Sequence, residues 1–353
     1  MGKIDLYNAD ERGLVGASAR AGSLPHCTAA TVRMEINGEY SLTADFPSSA
    51  EELGEMRLGQ AIRATVNERG KQQFFIIKNR RRNLVGGVSV YAEHQSYYYN
   101  GVILNAGAAS ANGQPRVFFN AIHQYARPSI AEISTWTYSR ASALRANFPE
   151  RPVPIPVAEA LKRYLIEAAG GELIFDGINV EYVDAMGGDY GAEFRYGANL
   201  TGLESEDILE GYASGIYPYW GSPGDPDRPL TVLSGGVYSY SGSYPMQVIV
   251  PVDFGQLFDA QPTQEQMLAA CREYETQHAQ SGVPASLRAS RERITGDVPV
   301  DLGDTVTLIV TPWGIKTKTR IQSLTFDALR ARTIDVQLGA INPGFPGAVR
   351  AIR

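Results

Sequence analysis

Two stretches of this 353-residue chain repeat one another at a constant separation of 244 positions, and that repetition constrains the fold more than any other feature. Leu58-Gly59-Gln60, Ile62, Val66, Gly70 and Ile77 correspond to Leu302-Gly303-Asp304, Val306, Val310, Gly314 and Ile321. Each copy reads as a Leu-Gly turn, a strand, a second turn at the glycine 12 residues after the leucine, and a further strand. Val90 and Ala92 are matched by Ile334 and Val336 at the same separation. Matched turns between apolar alternations predict two similar antiparallel β-barrels, each closing its own edges. The 36 glycines and 19 tyrosines, with hydrophobic residues at 44%, fit many short strands joined by tight turns and exclude a disordered chain.

The first barrel is expected in residues 1–92. Val32, Met34 and Ile36 alternate with Arg33, Glu35 and Asn37; Asn37-Gly38 makes a hairpin turn, and Tyr40, Leu42 and Ala44 resume the alternation. Ile62 to Val66, Phe74 to Lys78 and Val88 to Ala92 supply three more strands. From residue 93 the pattern changes. Val117, Phe118, Ala121, Ile122 and Tyr125 lie at helical spacing, as do Val157, Leu161, Tyr164, Leu165 and Ala168, with Gly170-Gly171 ending the second helix. Ile130 to Tyr138 is β-rich, and four prolines between Pro149 and Pro156 make an extended connector, so residues 93–178 are expected as an α+β domain. Short strands return at Leu173 to Phe175, Val180 to Val183, Ala192 to Tyr196 and Leu200 to Ser205. The second barrel is placed at 179–230 with 295–342, and a second α+β domain at 231–294 with 343–353. The loop Gly221 to Pro229 marks a boundary, and Thr263 with Gln266 forms a capping box for a helix running to about Gln280, whose stripe of Met267, Leu268, Cys271 and Tyr274 faces a core. The predicted class is mainly β with α+β insertions: two similar antiparallel β-barrel domains plus two smaller α+β domains.

Asp and Glu number 38 against 32 Lys and Arg, a net charge of -6, and the basic residues form no block, which excludes charge-driven binding to duplex nucleic acid. Met1 to Arg12 contains no apolar run of signal-peptide length, and stretches such as Val248 to Val252 fall far short of the ~20 residues of a membrane-spanning helix, so no membrane insertion is expected. Cys27 and Cys271 lie in no metal or redox motif and are expected as buried free thiols. HExxH, GxSxG, P-loop and GxGxxG motifs are absent, and His26, His94, His123 and His278 have no partner at metal-ligand spacing, so no catalytic residue, cofactor or metal is assigned. Asp225-Pro226-Asp227 reads as a solvated turn rather than a calcium loop. Glu204, Glu206, Asp207 and Glu210 read as acid/base groups or, equally well, as a charged helix start. Glu93-His94 ahead of Tyr97-Tyr98-Tyr99 admits a catalytic dyad or a sugar platform; the favoured reading is a histidine hydrogen-bonded at a domain joint beside packed tyrosines. Tyr217-Pro218-Tyr219-Trp220 admits carbohydrate stacking or a subunit contact. The candidate interface residues are therefore His94, Tyr97, Tyr217, Tyr219 and Trp220.

Taken in order, four motifs carry a resemblance over nearly the whole chain: Ile36-Asn37-Gly38-Glu39-Tyr40-Ser41-Leu42; Val90-Tyr91-Ala92-Glu93-His94 with Tyr97; Glu172 to Asp176 through Gly187-Gly188-Asp189-Tyr190-Gly191 to Arg195-Tyr196-Gly197-Ala198-Asn199-Leu200; and Ile216-Tyr217-Pro218-Tyr219. Leu302 to Val306 and Val336 to Gly339 fit it too. The chain resembles the baseplate hub and tail-associated lysin family of tailed bacteriophages, in its N-terminal structural region. The resemblance implies a homotrimeric ring at the tail tip of the virion, with two barrels per subunit presenting near six-fold symmetry to the tube. It implies as partners the distal tail or tube protein, the tape-measure protein, and a distal fibre, spike or lysin, with DNA only as passing cargo. Many members continue into a cell-wall hydrolase; this sequence stops at Arg353, about a dozen residues past the last predicted strand, so no enzymatic extension is expected. The rival readings are a tail-associated cell-wall peptidase or hydrolase and a carbohydrate-binding receptor module.

Overall fold

The repeated turns take the same backbone path twice. The structure, a computed structural model, describes residues 4–10, 14–15, 19–82, 87–105, 114–139, 154–207, 213–242, 246–255, 257–258, 260–278, 285–292 and 297–339. The chain opens with β1 (Asp5–Tyr7), β2 (Arg20–Ser23), β3 (Ala29–Glu35), β4 (Tyr40–Phe46), β5 (Ala61–Thr65), β6 (Gln72–Arg82) and β7 (Val88–His94). A mixed layer follows: β8 (Ile103–Leu104), α1 (Pro115–Tyr125), β9 (Ala126–Arg127), β10 (Trp136–Tyr138), β11 (Ile155–Pro156), a helical rod from α2 (Val157–Ala160) to α3 (Glu167–Ala169) that is π-helical at Leu161–Ile166, then β12 (Glu172–Asp176) and β13 (Asn179–Val183). Next come β14 (Asp189–Arg195), β15 (Leu200–Asp207), β16 (Gly215–Trp220), β17 (Thr231–Val232), β18 (Tyr238–Ser239), β19 (Ile249–Asp253) and α4 (Gln264–His278). The chain returns through β20 (Ala285–Arg291), β21 (Thr305–Val310), β22 (Ile315–Asp327) and β23 (Arg332–Leu338).

At the Leu-Gly turns, Gly59 N–H donates to the Ile77 carbonyl at 2.9 Å and Gly303 N–H to that of Ile321 at 3.0 Å; Ile77 N–H returns a bond to Gln60 at 2.8 Å and Ile321 N–H to Asp304 at 3.0 Å. The second turns match as well, Gly70 to Asn67 and Gly314 to Thr311, both at 3.1 Å. These turns need glycine because φ is +85° at Gly59, +84° at Gly70, +83° at Gly303 and +63° at Gly314. The hairpins keep one register: Ala61 faces Ile76 and Ile62 faces Phe75, as Thr305 faces Arg320 and Val306 faces Thr319. Strand order repeats too, β1-β5-β6-β7-β4-β3 in the first array and β14-β21-β22-β23-β20-β15 in the second. They differ at one edge, where β1 lies antiparallel to β5 but β14 parallel to β21.

The fold is mainly β, but none of the described sheets closes, where separate closure of each array was expected. The reason is β3. It pairs antiparallel with the second half of β22, Glu35 opposite Ser323 through Thr31 opposite Asp327, so among the described residues one sheet of 13 strands runs through both arrays. One apolar core follows it across, from Leu6, Val32, Leu42 and Phe75 to Phe194, Val306, Ile321 and Phe326. The second array opens where the first has a tight turn: Asn37-Gly38 joins β3 to β4, whereas the layer of β16 to β19 and α4 lies between β15 and β20. The expected capping box is formed, Gln266 N–H donating to Thr263 Oγ1 at 3.2 Å and Thr263 N–H to Gln266 Oε1 at 2.8 Å, and Met267 and Cys271 are fully buried beneath α4. Cys27 is partly exposed and, like Cys271, unpaired. Within Ile130 to Tyr138 only Trp136–Tyr138 is a strand; Ser134 N–H turns back to the Ile130 carbonyl at 3.0 Å. No helix among the described residues is long and apolar enough to cross a membrane.

Two charged contacts lock the layers. The turn after β5 carries Glu68 into the second array, where its buried carboxylate pairs with the buried Arg291 and accepts N–H bonds from Val300 and Thr333, both at 3.1 Å. Arg291 also lies over the Phe194 ring at 5.2 Å and reaches Asp297 at 3.6 Å. Arg320 grips both oxygens of Glu172 and donates to the Gly303 and Met186 carbonyls at 2.8 and 2.7 Å, tying the second array to the mixed layer.

Glu68→Gln leaves the buried Arg291 charge with Asp297 alone, at 3.6 Å, in place of its close buried partner, and urea unfolding should show a loss of about 3 kcal/mol. The repeated glycines should respond unequally to alanine. At Gly59 an added Cβ meets nothing within 4 Å, so only the positive φ opposes it and the cost should be about 1–2 kcal/mol. At Gly303 the Cβ would lie 2.7 Å from the Met186 carbonyl oxygen, so Gly303→Ala should cost about 1–3 kcal/mol more in the same assay.

Candidate functional site

The region where the two arrays and the mixed layer meet gathers His94, Tyr97 and Tyr40. His94 ends β7 and caps the short turn Gln95–Asn100: its Nδ1 accepts the Ser96 N–H at 3.2 Å. Nδ1 is thus an acceptor, so Nε2 carries the proton and donates to Gln73 Oε1 at 3.1 Å. Gln73 in turn donates to Asp176 Oδ1 at 2.7 Å and accepts the Gly177 N–H at 2.9 Å, joining the first array to the end of β12. Tyr40 stacks on the imidazole, 4.0 Å between centroids and 11° from parallel, and Phe75 meets both rings edge-on. Tyr97, half-buried, offers its hydroxyl to the Tyr40 N–H at 3.4 Å. Beside this stack lies a cavity of about 460 Å³ lined by Asn37, Arg69, Lys71, Tyr97, Tyr190 and Asp301. The Asn37 side chain bridges its rim, donating to the Gly171 carbonyl at 2.8 Å and accepting the Leu173 N–H at 2.9 Å.

This arrangement holds layers together. Glu93 and His94 are neighbours on one strand and therefore face opposite sides of the sheet, so no dyad forms; Glu93 instead lies 3.8 Å from the Lys78 ammonium. Burial, with a lesser push from the Lys71 charge, lowers the His94 pKa to about 3 and keeps the ring neutral. Burial raises the Tyr97 and Tyr40 hydroxyl pKa values. Among the described residues no three His, Cys, Asp or Glu side chains gather as a metal site. Asp225 caps its own turn, its Oδ1 accepting the N–H groups of Asp227 and Arg228 at 2.9 and 3.1 Å.

Tyr217, Tyr219 and Trp220 lie apart from this joint, on β16 at the centre of a four-stranded sheet. Strand alternation divides them. Tyr217, 40% exposed, shares the outer face with Tyr219, while Trp220, 1% exposed, fills the core over α4 and donates its indole N–H to the Phe258 carbonyl at 3.0 Å. Arg228 covers the Trp220 ring at 5.2 Å. The acidic run is also differently placed. Glu204, Glu206 and Asp207 lie on strand β15, not at a helix start, and Glu210 lies outside the described residues. The Glu68–Arg291 and Arg320–Glu172 pairings escaped the sequence reading because each is made only by folding; Glu68 and Arg291 are 223 positions apart.

The depressed His94 pKa sets a pH window. Unfolded chains take up the proton below about 6.5 and the folded chain only near 3, so the contribution is intact above 6.5 and is lost as pH falls toward 3. Denaturant titrations between pH 6.5 and 4 should show a stability slope up to about 1.4 kcal/mol per pH unit steeper in the native chain than in His94→Gln.

No protein-family model matches the sequence, and no curated protein matches it. Solved structures do match. The prophage tail protein gp18 of Listeria monocytogenes EGD-e superposes with a TM-score of 0.64 at 12% identity, over 99% of this chain and 98% of that one. A tail protein of Neisseria meningitidis MC58 gives 0.61 at 11%, covering 96% and 97%, and the 43 kDa tail protein of prophage MuSo2 from Shewanella oneidensis gives 0.59 at 10%, covering 97% and 98%. Coverage from end to end on both sides means that the likeness includes the insertions as well as the sheet. The chain has the fold of these tail proteins.

Proposed function

We propose that the chain is a structural hub protein of a bacteriophage or prophage tail, three copies of which form a ring that closes the tail tube and links it to a distal fibre, spike or lysin. The observation that carries this reading is the duplication. One chain holds two arrays of the same strand order, joined rigidly by β3 and β22, so three chains supply six nearly equivalent units around an axis. The end-to-end likeness in fold to three tail proteins, two of them from prophages, supports a setting in a tail.

In this reading the protein acts by geometry and catalyses nothing. The two arrays, β1 to β7 and β14, β15 and β20 to β23, form the ring, and the mixed layer from β8 to β13 and the layer of β16 to β19 with α4 meet neighbours. The tube protein sits above, the tape-measure protein reaches the lumen, and DNA passes as cargo, its contact weakened by the chain's net charge of -6. Tyr217 and Tyr219 form part of a subunit contact that Trp220 supports from within, while His94 and Tyr97 hold the layers at the angle the ring requires.

Native mass spectrometry tests the assembly. The expected species is three times the 38.4 kDa chain, persisting on dilution as an obligate interface does, and a monomer at high concentration is the contrary result.

A further inference from the structure

The junction between the arrays is made once inside the chain and leaves an equivalent pair of edges unused. The strand that makes it, β3, lies outermost in the first array, and β15 holds the same place in the second. Arg33, Val32 and Thr31 face Ser41, Leu42 and Thr43 on β4, which face Glu93, Ala92 and Tyr91. In the second array Glu204, Leu203 and Gly202 face Arg288, Ala289 and Ser290 on β20, and these face Gln337, Val336 and Asp335, the 244-position counterparts of Glu93, Ala92 and Tyr91. Likewise β6 is the counterpart of β22. The first half of each pairs with the hairpin strand before it, but only β22 uses the same edge beyond that point, where Ser323 to Asp327 receive β3. Among the described residues that edge of β6 from Asn79 to Arg82 has no partner, and neither has the outer edge of β15.

Opposite charge on the two edges distinguishes them from ones merely protected against aggregation, for which the same sign on both would serve. β6 ends Lys78-Asn79-Arg80-Arg81-Arg82, and β15 ends Glu204-Ser205-Glu206-Asp207. Arg80 is held against the Met56 carbonyl at 2.6 Å, and its pKa is lowered by partial burial and by the crowding of Arg82 and Arg57. Arg81, Arg82 and Glu204 are exposed and form no ion pair among the described residues, although Arg288 stands across from Glu204 in the sheet. From the strand equivalence and the charge together we infer that the acidic outer edge of β15 adds as an antiparallel strand to the basic edge of β6 in a second copy of this chain. The contact repeats the β3–β22 junction between subunits, with backbone hydrogen bonds supplying adhesion and opposite charge selecting the partner edge. It is head-to-tail, so it closes into a ring when the rotation divides the circle. The inference rests on the ring reading and specifies which edges close it.

The test is self-association of the full chain at matched concentration, measured by sedimentation for four variants. Arg81→Glu with Arg82→Glu, and separately Glu204→Lys with Glu206→Lys, should each weaken assembly by about tenfold or more, as like charges face each other at the contact. All four substitutions in one chain should restore it. Arg81→Gln with Arg82→Gln removes attraction without adding repulsion and should give an intermediate loss. Far-UV circular dichroism of each variant should match the native chain, because Arg81, Arg82 and Glu204 are exposed in their own fold. If the reversed variants assemble as the native chain does, or the fourfold variant does no better than either half, the edge contact is wrong while the ring stands. If the native chain never assembles, both fall.

Discussion

The architecture depends on one strand pair. β3 stays paired with β4 in its own array and on its other edge hydrogen-bonds with β22, residues nearly 300 positions along, and that pairing fixes the angle between two otherwise similar units. Backbone bonding along five paired positions tolerates little rotation, and the shared core through Phe326 and Val32 tolerates less. A duplicated chain without such a junction would be two domains on a linker, free to reorient. With it, the two arrays are held in one orientation, as the proposed ring requires of its subunit.

The charged contacts act on the same joint. Glu68 and Arg291 close the gap between the first hairpin and the second array in a setting too dry for either charge to stand alone, so the pair is costly to break and also specific. Arg320 and Glu172 do the same for the mixed layer, and the neutral His94, stacked on Tyr40 and bonded to Gln73, extends the joint to β12. A protonatable group at this position is silent at neutral pH because burial holds it so.

What was legible in the sequence was local or periodic. The glycines at 59, 70, 303 and 314 announced turns because only glycine takes a positive φ there cheaply, and the Thr263 and Gln266 cap fixed the start of α4. The constant separation revealed the duplicate hairpins, and the structure gives them matching hydrogen bonds at their turns. What was not legible depends on the third dimension. Alternation marks a strand but not its partner, so β3 gave no sign that it would join β22 instead of closing its own array. The run from Glu204 to Asp207 is short and acidic, a pattern shared by helix starts and exposed strand edges. Trp220 read as an interface residue with its tyrosine neighbours, yet the pleat of β16 turns it inward.

The central claim is that a rigid pair of like units tiles a closed ring. Electron microscopy of the purified chain tests it most directly. The account predicts axial views with three-fold symmetry, six similar lobes and an open central channel; a compact particle without a channel, or lone arcs at all concentrations, would contradict it.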